Sequence, residues 1–145
     1  MPTGADATAE PQDVLGYLLK HASAQLTGLT DAALAPLGID SKDFGALRLL
    51  AHREPTSQLQ AAQALGIDRT SMVALLDVLE GKGIVTRRPD PADRRRNTVE
   101  LTERGLRIYD QAEAAYEAAE QTFLAPVDQE AAEQLRLVLR SLLPH

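Results

Sequence analysis

Along nearly the whole chain, apolar residues recur at intervals of three and four; in one stretch only, residues 84–101, the interval shrinks to two. A period near 3.6 buries one stripe of a helix, whereas a period of two buries one face of a strand. The chain is therefore committed to helices packed on helices, with room for one β-hairpin among them. Ile84-Val85-Thr86-Arg87-Arg88 forms the first arm, Pro89 to Arg94 the turn, and Asn97-Thr98-Val99-Glu100-Leu101 the returning arm. Val99 and Leu101 then share an apolar face opposite Thr98 and Glu100.

Capping residues and breakers divide the helical part. Leu15, Leu18, Leu19, Ala22, Leu26 and Leu29 predict a helix from Pro11 to about Leu34, closed by Pro36 and Gly38. Ser41 is placed to cap a second helix, with Phe44, Leu47, Leu50 and Ala51 on its apolar face and its end near His52, before Pro55. Ser57 and Gln60 have the spacing of a capping box for a short helix carrying Ala61, Ala62 and Leu65, which Gly66 ends. Asp68 can cap the next helix, Arg69 to Gly81, with Met72, Leu75, Leu76 and Leu79 inward. Thr102 caps a long helix to about Leu124. Pro126 breaks it, Asp128 caps again, and Leu135, Val138, Leu139, Leu142 and Leu143 close the chain on an amphipathic helix. Residues 1–10 are small, polar and unpatterned, and are expected to be disordered. There is no internal repeat and no room for a flexible linker between domains.

At 145 residues the chain suits one domain, or a small domain with a dimerisation appendage. Hydrophobic residues make up 44% and aromatics only 3%, so the core is aliphatic; Ala and Leu, 23 each, favour helix. The absence of cysteine excludes disulfides, thiolate metal sites, a thiol nucleophile and thiol redox sensing. No apolar run approaches the roughly 18–20 residues of a membrane span, and Met1–Glu10 has neither a basic nor an apolar region, so a soluble cytoplasmic protein is expected. Nothing points to an enzyme. The three histidines lack metal spacing, and His-Glu-x-x-His, a phosphate-binding glycine loop and Gly-x-Ser-x-Gly are all missing. Glu113, Glu117 and Glu120 share a helical face without a histidine and read as a solvated stripe, not a metal site. No catalytic residue, metal or cofactor is assigned.

The net charge of −6 argues against a general polyanion binder, yet the charge is unevenly placed. Between Lys82 and Arg96 six basic residues face two acidic ones, while Asp110 to Glu133 holds seven acids and no base. Such a chain offers one face to an anion and repels it elsewhere. Two short helices joined through Leu65-Gly66-Ile67-Asp68 and followed by a basic hairpin have the order of a winged helix-turn-helix. In that arrangement the N-terminal residues of the second helix reach base edges in the major groove. Here they are Arg69, Thr70 and Ser71, with small Ala74 one turn on. The hairpin tip carries Arg94, Arg95 and Arg96 toward the backbone or a narrow minor groove, where negative potential attracts arginine.

The sequence resembles the multiple-antibiotic-resistance (MarR) regulators. The likeness lies in Leu65-Gly66-Ile67-Asp68-Arg69-Thr70-Ser71, in Leu75-Leu76-Asp77-Val78-Leu79-Glu80-Gly81-Lys82-Gly83-Ile84-Val85, and in the wing Arg88-Pro89-Asp90-Pro91-Ala92-Asp93-Arg94-Arg95-Arg96. It continues through the exit Leu101-Thr102-Glu103-Arg104-Gly105. The wing's Asp-x-Arg (Asp93 and Arg95), followed by Leu-Thr-x-x-Gly, is its most specific part. The resemblance implies a MarR-type domain over residues 11–145: a DNA-binding lobe over 37–101 and dimerisation helices over 11–36 and 102–145. It further implies a homodimer on a near-palindromic operator, released by a small-molecule effector. Ala74 and Val78 depart from the pattern, which often has basic or polar residues there, and Val73 stands where a hydroxyl is frequent. These departures bear on which operator sequence is read.

The candidate DNA contacts are Ser57, Arg69, Thr70, Ser71, Ala74, Arg87, Arg94, Arg95 and Arg96. Asp93 would repel phosphate and is instead expected to stabilise the wing by an ion pair with Arg95. Strand alternation lets at most one of Arg87 and Arg88 face DNA squarely. Lys82 reads as a charge complementing a helix C-terminus. Tyr17 and His21, at i,i+4, with Arg48 and His52, form a candidate site for an aromatic or phenolic effector, against the alternative that they are ordinary interface or surface residues. Two functions compete: a ligand-responsive transcriptional repressor, and a winged-helix protein-interaction module that has lost DNA binding.

Overall fold

The computed structural model describes residues 13–52, 55–93 and 95–144. The expected disorder of residues 1–10 and the role given to Arg94 lie outside that range. In chain order the elements are α1 (Leu15–Leu34), a 3-10 turn (Ala35–Leu37), α2 (Ser41–Ala51), β1 (Thr56–Ser57), α3 (Gln58–Leu65) and α4 (Arg69–Gly81). Then come β2 (Val85–Pro89), β3 (Asn97–Leu101), α5 (Glu103–Leu124) and α6 (Gln129–Leu142). The fold is mainly α with a small antiparallel sheet, as the period of the apolar residues required.

Most boundaries fall where a side chain caps free backbone N–H groups. Ser57 and Gln60 form the reciprocal capping box of α3. Asp68, Thr102 and Asp128 accept from the third residue of α4, α5 and α6 respectively. One cap differs from expectation. Asp40, not Ser41, caps α2, in a box with Asp43. A carboxylate is the stronger acceptor there, and Ser41, now inside the helix, is free to bind α1: its N–H donates to Asp31 Oδ1 at 2.7 Å and its hydroxyl pairs with that of buried Thr30. The Ser41 hydroxyl and N–H hold the Asp31 carboxyl below its usual range. Burial pushes Asp43 the other way, against the N–H bond from Asp40.

The sheet has the order β1-β3-β2. Val85 pairs with Leu101 and Pro89 with Asn97, which is the expected hairpin. The added strand β1 sets Thr56 opposite Val99 and Ser57 opposite Thr98. Two residues are too few to show an alternation, so β1 leaves no periodic signal. Its effect is to join the hairpin to the start of α3.

Leu34, Phe44, Leu47, Met72, Leu76, Leu79, Ile84 and Val99 are fully buried where α2, α4 and the sheet meet, and α5 adds Tyr109 and Ala112. The chain leaves the wing across its own entry. Thr102 donates its N–H to Ile84 O at 3.0 Å and its hydroxyl to Gly83 O at 2.6 Å. Gly105 then passes so close that a Cβ would run into the Ile84 carbonyl oxygen. By contrast α6 buries no residue, and its apolar Leu135, Leu137, Val138 and Leu142 are exposed, as are Leu15, Leu18 and Leu19 of α1. An ion pair, Arg136 to Glu120 at 3.5 Å, links α6 to α5.

Replacing a helical glycine by alanine ordinarily stabilises by about 1 kcal/mol. At Gly105 the sign reverses: Gly105→Ala is expected to cost about 2 kcal/mol through overpacking, read as a lower midpoint in thermal or denaturant unfolding. An unchanged or raised midpoint would contradict the close approach.

Candidate nucleic-acid interface

The turn between α3 and α4 depends on Gly66, whose left-handed backbone (φ 68°) lets its N–H reach the carbonyls of Ala62 and Gln63. Ile67 N–H closes on Ala62 O at 3.1 Å. Asp68 follows and accepts the Ser71 N–H at 2.6 Å, a bond that lowers the Asp68 carboxyl pKa. Burial of Met72, Leu75, Leu76 and Leu79 turns the opposite face of α4 outward, and that face carries Thr70, Ala74 and Asp77. Arg69, Thr70 and Ser71 are all exposed at the helix start, where the dipole favours an anion.

The wing tip is a knot of short-range bonds. Asp90 N–H donates to Arg96 O at 2.8 Å, and Arg96 N–H returns to Asp93 O at 3.0 Å. Asp93 Oδ1 accepts the Arg95 N–H at 3.1 Å, while Asp93 Oδ2 lies 3.7 Å from Arg96 Nε. Asp93 thus stabilises the wing as expected, but its ionic partner is Arg96, not Arg95. In a tight turn the residue two positions on gives its backbone N–H to an aspartate, and the residue three on brings its side chain back. The Arg95 guanidinium is left exposed, with no ion pair among the described residues.

Arg69, Arg95 and Arg96 meet with Ser57, Gln58 and Asn97 around a cleft of about 230 Å³ between the starts of α3 and α4 and the wing. Three cations from sequence positions 27 apart thereby share one opening. Ser57 is nearly buried and its oxygen accepts the Gln60 N–H, so only its hydroxyl proton is free to donate. Ser71 and Ala74 line a separate groove with Asp40, Asp43 and Lys82. Lys82 reaches beyond its own helix: Nζ donates to Gly38 O at 2.7 Å.

Arg87 is placed otherwise than expected. Its side chain is 18% exposed, and Nη2 bonds Asp77 Oδ1 at 2.6 Å and Glu80 Oε1 at 2.8 Å. Nη1 donates to Gln58 Oε1 at 3.3 Å. The Glu80 bond, more than that of Asp77, raises the guanidinium pKa, and Arg87 in return lowers that of Glu80. Strand alternation points Arg87 at α4, where two carboxylates claim it, and turns Arg88 to solvent beside Glu100. Asp77 and Glu80, three residues apart on α4, were the available signal for this contact.

The candidate effector residues fall into two groups. Tyr17 and His21 stack on α1 with ring centroids 3.9 Å apart. On α2, the Arg48 guanidinium lies over the Phe44 ring at 4.7 Å and near the Tyr116 ring at 5.2 Å, while His52 Nε2 meets the Tyr109 hydroxyl at 2.9 Å. Tyr109 and Tyr116 belong to α5 and had no sequence signal beyond being aromatic. Burial, with the Glu113 charge, raises the Tyr109 pKa. Among the described residues no group of three or more potential metal ligands occurs, and no helix is long and apolar enough to cross a membrane.

A model of the MarR family matches residues 37–96. The structure of a MarR-family transcriptional regulator from Rhodococcus sp. RHA1 is 30% identical, covering 93% of this chain and 96% of that one, with a TM-score of 0.85. A Mycobacterium tuberculosis MarR family protein in complex with DNA is 31% identical, covering 89% and 97%, with a TM-score of 0.76. CouR from Rhodococcus jostii RHA1, bound to p-coumaroyl-CoA, is 28% identical, covering 93% and 95%, with a TM-score of 0.81.

Asp93 offers a signed test of the wing geometry. Its removal deletes a negative charge beside the arginines, which alone would strengthen binding to a duplex. It also deletes the bonds that shape the tip. Asp93→Ala is expected to weaken binding by about 1 kcal/mol in a fluorescence titration; tighter binding would show that charge, not shape, governs the wing.

Proposed function

Because the chain belongs to the MarR family of DNA-binding transcriptional regulators, we propose that it acts as a homodimeric repressor whose hold on a near-palindromic operator is released by a small molecule. The observation that carries this reading is the shared opening of Arg69, Arg95 and Arg96 beside the N-terminus of α4. In it, residues 37–101 form the DNA-binding lobe, and residues 11–36 and 102–145 the dimerisation helices. The unpartnered apolar faces of α1 and α6 support that division, since large exposed apolar surface marks association. Two recognition helices would enter successive major grooves about 34–36 Å apart. Arg69, Thr70 and Ser71 would read or grip DNA at the helix start, Ala74 would give apolar contact to thymine methyls, and Arg95 with its neighbours Arg94 and Arg96 would hold the flanking backbone or minor groove. A protein seated this way in the cytoplasm represses by occupying promoter DNA.

For the effector, Arg48 on its aromatic bed and the His52–Tyr109 pair lie where α2 meets α5, the junction between the proposed lobe and its support. A guanidinium held over rings suits a carboxylate or phosphate, and the rings suit an aromatic body. The relative bound to p-coumaroyl-CoA supports a phenolic or aromatic acid class. Release follows if the effector binds the non-operator spacing of the lobes better than the operator-bound one.

Exposed Val78 and the acidic Asp77 on the outer face of α4 favour a second reading, a winged-helix module that binds protein. Selection of fragments from the source genome separates the two. Enrichment of a few intergenic fragments sharing an inverted repeat, with affinity falling steeply with salt, is expected. A folded dimer, stripped of any bound ligand, that enriches nothing at low salt would refute the repressor. On the selected site, Arg69→Ala is expected to lose about 1–3 kcal/mol and relax preference at one base pair if it reads a guanine edge; equal loss on every sequence would make it a phosphate contact. Arg48→Ala is expected to leave operator binding intact and to abolish release by aromatic carboxylates. Undiminished release would place the effector elsewhere.

A further inference from the structure

We propose that Arg87 is a positioning residue for DNA binding, a guanidinium that fixes the angle between the wing and the recognition helix α4 without touching DNA itself. The proposal rests on the DNA-binding reading above and adds to it the part that sets its geometry. α4 and the wing address different features of a duplex, so their relative placement decides whether both engage at once. The starts of α3 and α4 are held near the wing by strand β1 and by the cleft-lining residues. Farther along α4 the tie is Arg87.

One side chain joins three elements there. Arg87 leaves β2 opposite Val99, whose own side chain is fully buried, so the root of the arginine is anchored in the sheet. Its Nη2 meets Asp77 and Glu80, one helical turn apart on α4, and its Nη1 meets Gln58 in the first turn of α3. A planar guanidinium with fixed donor directions satisfies all three acceptors and in doing so fixes the distance between strand and helix. The side chain is 18% exposed, whereas the carboxylates of Asp77 and Glu80 are 59% and 43% exposed. The arginine is thus the inner member of the group, its donors spent on protein acceptors.

The arrangement has an electrostatic side. Asp77 stands on the same outward face of α4 as Thr70 and Ala74, at spacings of seven and three residues. A bare carboxylate there would confront the phosphates that Arg69 and Arg95 attract. Arg87 neutralises it from behind, leaving the face small and nearly uncharged. Arg87 therefore contributes to affinity while releasing no counterion from DNA, and this distinguishes it from every phosphate contact in the interface.

The test uses the full-length protein on its selected operator, with binding measured across a salt series for wild type, Arg87→Ala, Asp77→Ala/Glu80→Ala, the triple variant and Arg95→Ala. Thermal melts and sizing confirm that each is folded and assembled as wild type is. Arg95→Ala lowers the salt slope by about 0.9, the mark of one lost phosphate contact. Arg87→Ala is expected to weaken binding roughly three- to tenfold, as for loss of a networked ion pair, with the slope kept. In the background lacking both carboxylates the arginine has nothing to hold, so adding Arg87→Ala there should cost less than twofold. The proposal is overturned if Arg87→Ala lowers the slope as Arg95→Ala does, or if its cost is the same in both backgrounds. Should Arg87→Ala fail to fold, Arg87→Lys replaces it. Lysine keeps the charge but cannot bridge the three acceptors, so affinity loss at unchanged slope supports positioning, and wild-type affinity overturns it. A wild-type protein that binds no duplex overturns the DNA-binding reading together with this one, whereas failure at Arg87 alone leaves that reading standing.

Discussion

The junction where the chain enters and leaves the wing governs the rest of the structure. Gly83 and Ile84 lead into β2; Thr102 and Gly105 lead out of β3 into α5; and the second pair lies directly on the first. Thr102 serves both sides, capping α5 with its oxygen while donating its proton to the Gly83 carbonyl. With the base of the hairpin closed in this way, the tip has a defined place and the arginines near it come to one opening with Arg69. The same contact aims α5, which then runs back beneath α2 and along α1. Wing, recognition helix and long helices thus share one reference point built largely from backbone atoms.

The sequence made the helices and hairpin legible because their boundaries are set by local chemistry. Gly66 needs its left-handed turn, Asp68 and Thr102 have donors three residues ahead, and Val99 and Leu101 alternate with polar neighbours. Each of these is visible within a few residues. What escaped was non-local. The pairing of β1 with β3 joins positions more than forty residues apart through two residues of strand. Ser41 looked like a cap because Asp40, beside it, was not weighed against it; the structure gives the cap to the stronger acceptor and uses Ser41 across the α1–α2 junction.

The candidate interface shows the same division. Cations in a short segment identify a basic wing, and Arg95, Arg96 and Arg69 do converge. Charge alone does not distinguish an arginine that faces solvent from one consumed by its own fold. Arg87 and Arg88 are adjacent and chemically identical, yet strand alternation sends one to Asp77 and Glu80 and the other outward. Likewise Asp93 was expected to hold Arg95, and the turn assigns its carboxylate to the side chain of Arg96 and the backbone of Arg95. Side-chain partners at this level depend on distances that only the folded chain sets.

The final helix carries one more consequence. α6 buries no residue of its own, and a helix of this length is marginal in water by itself. If a second copy covers it, the order of the last quarter of the chain becomes a matter of mass action: protein concentration enters the folding equilibrium, and dilution erodes structure as heat does. The abundance of such a regulator in its cell would then set how much of it is folded, as well as how much of its operator is occupied.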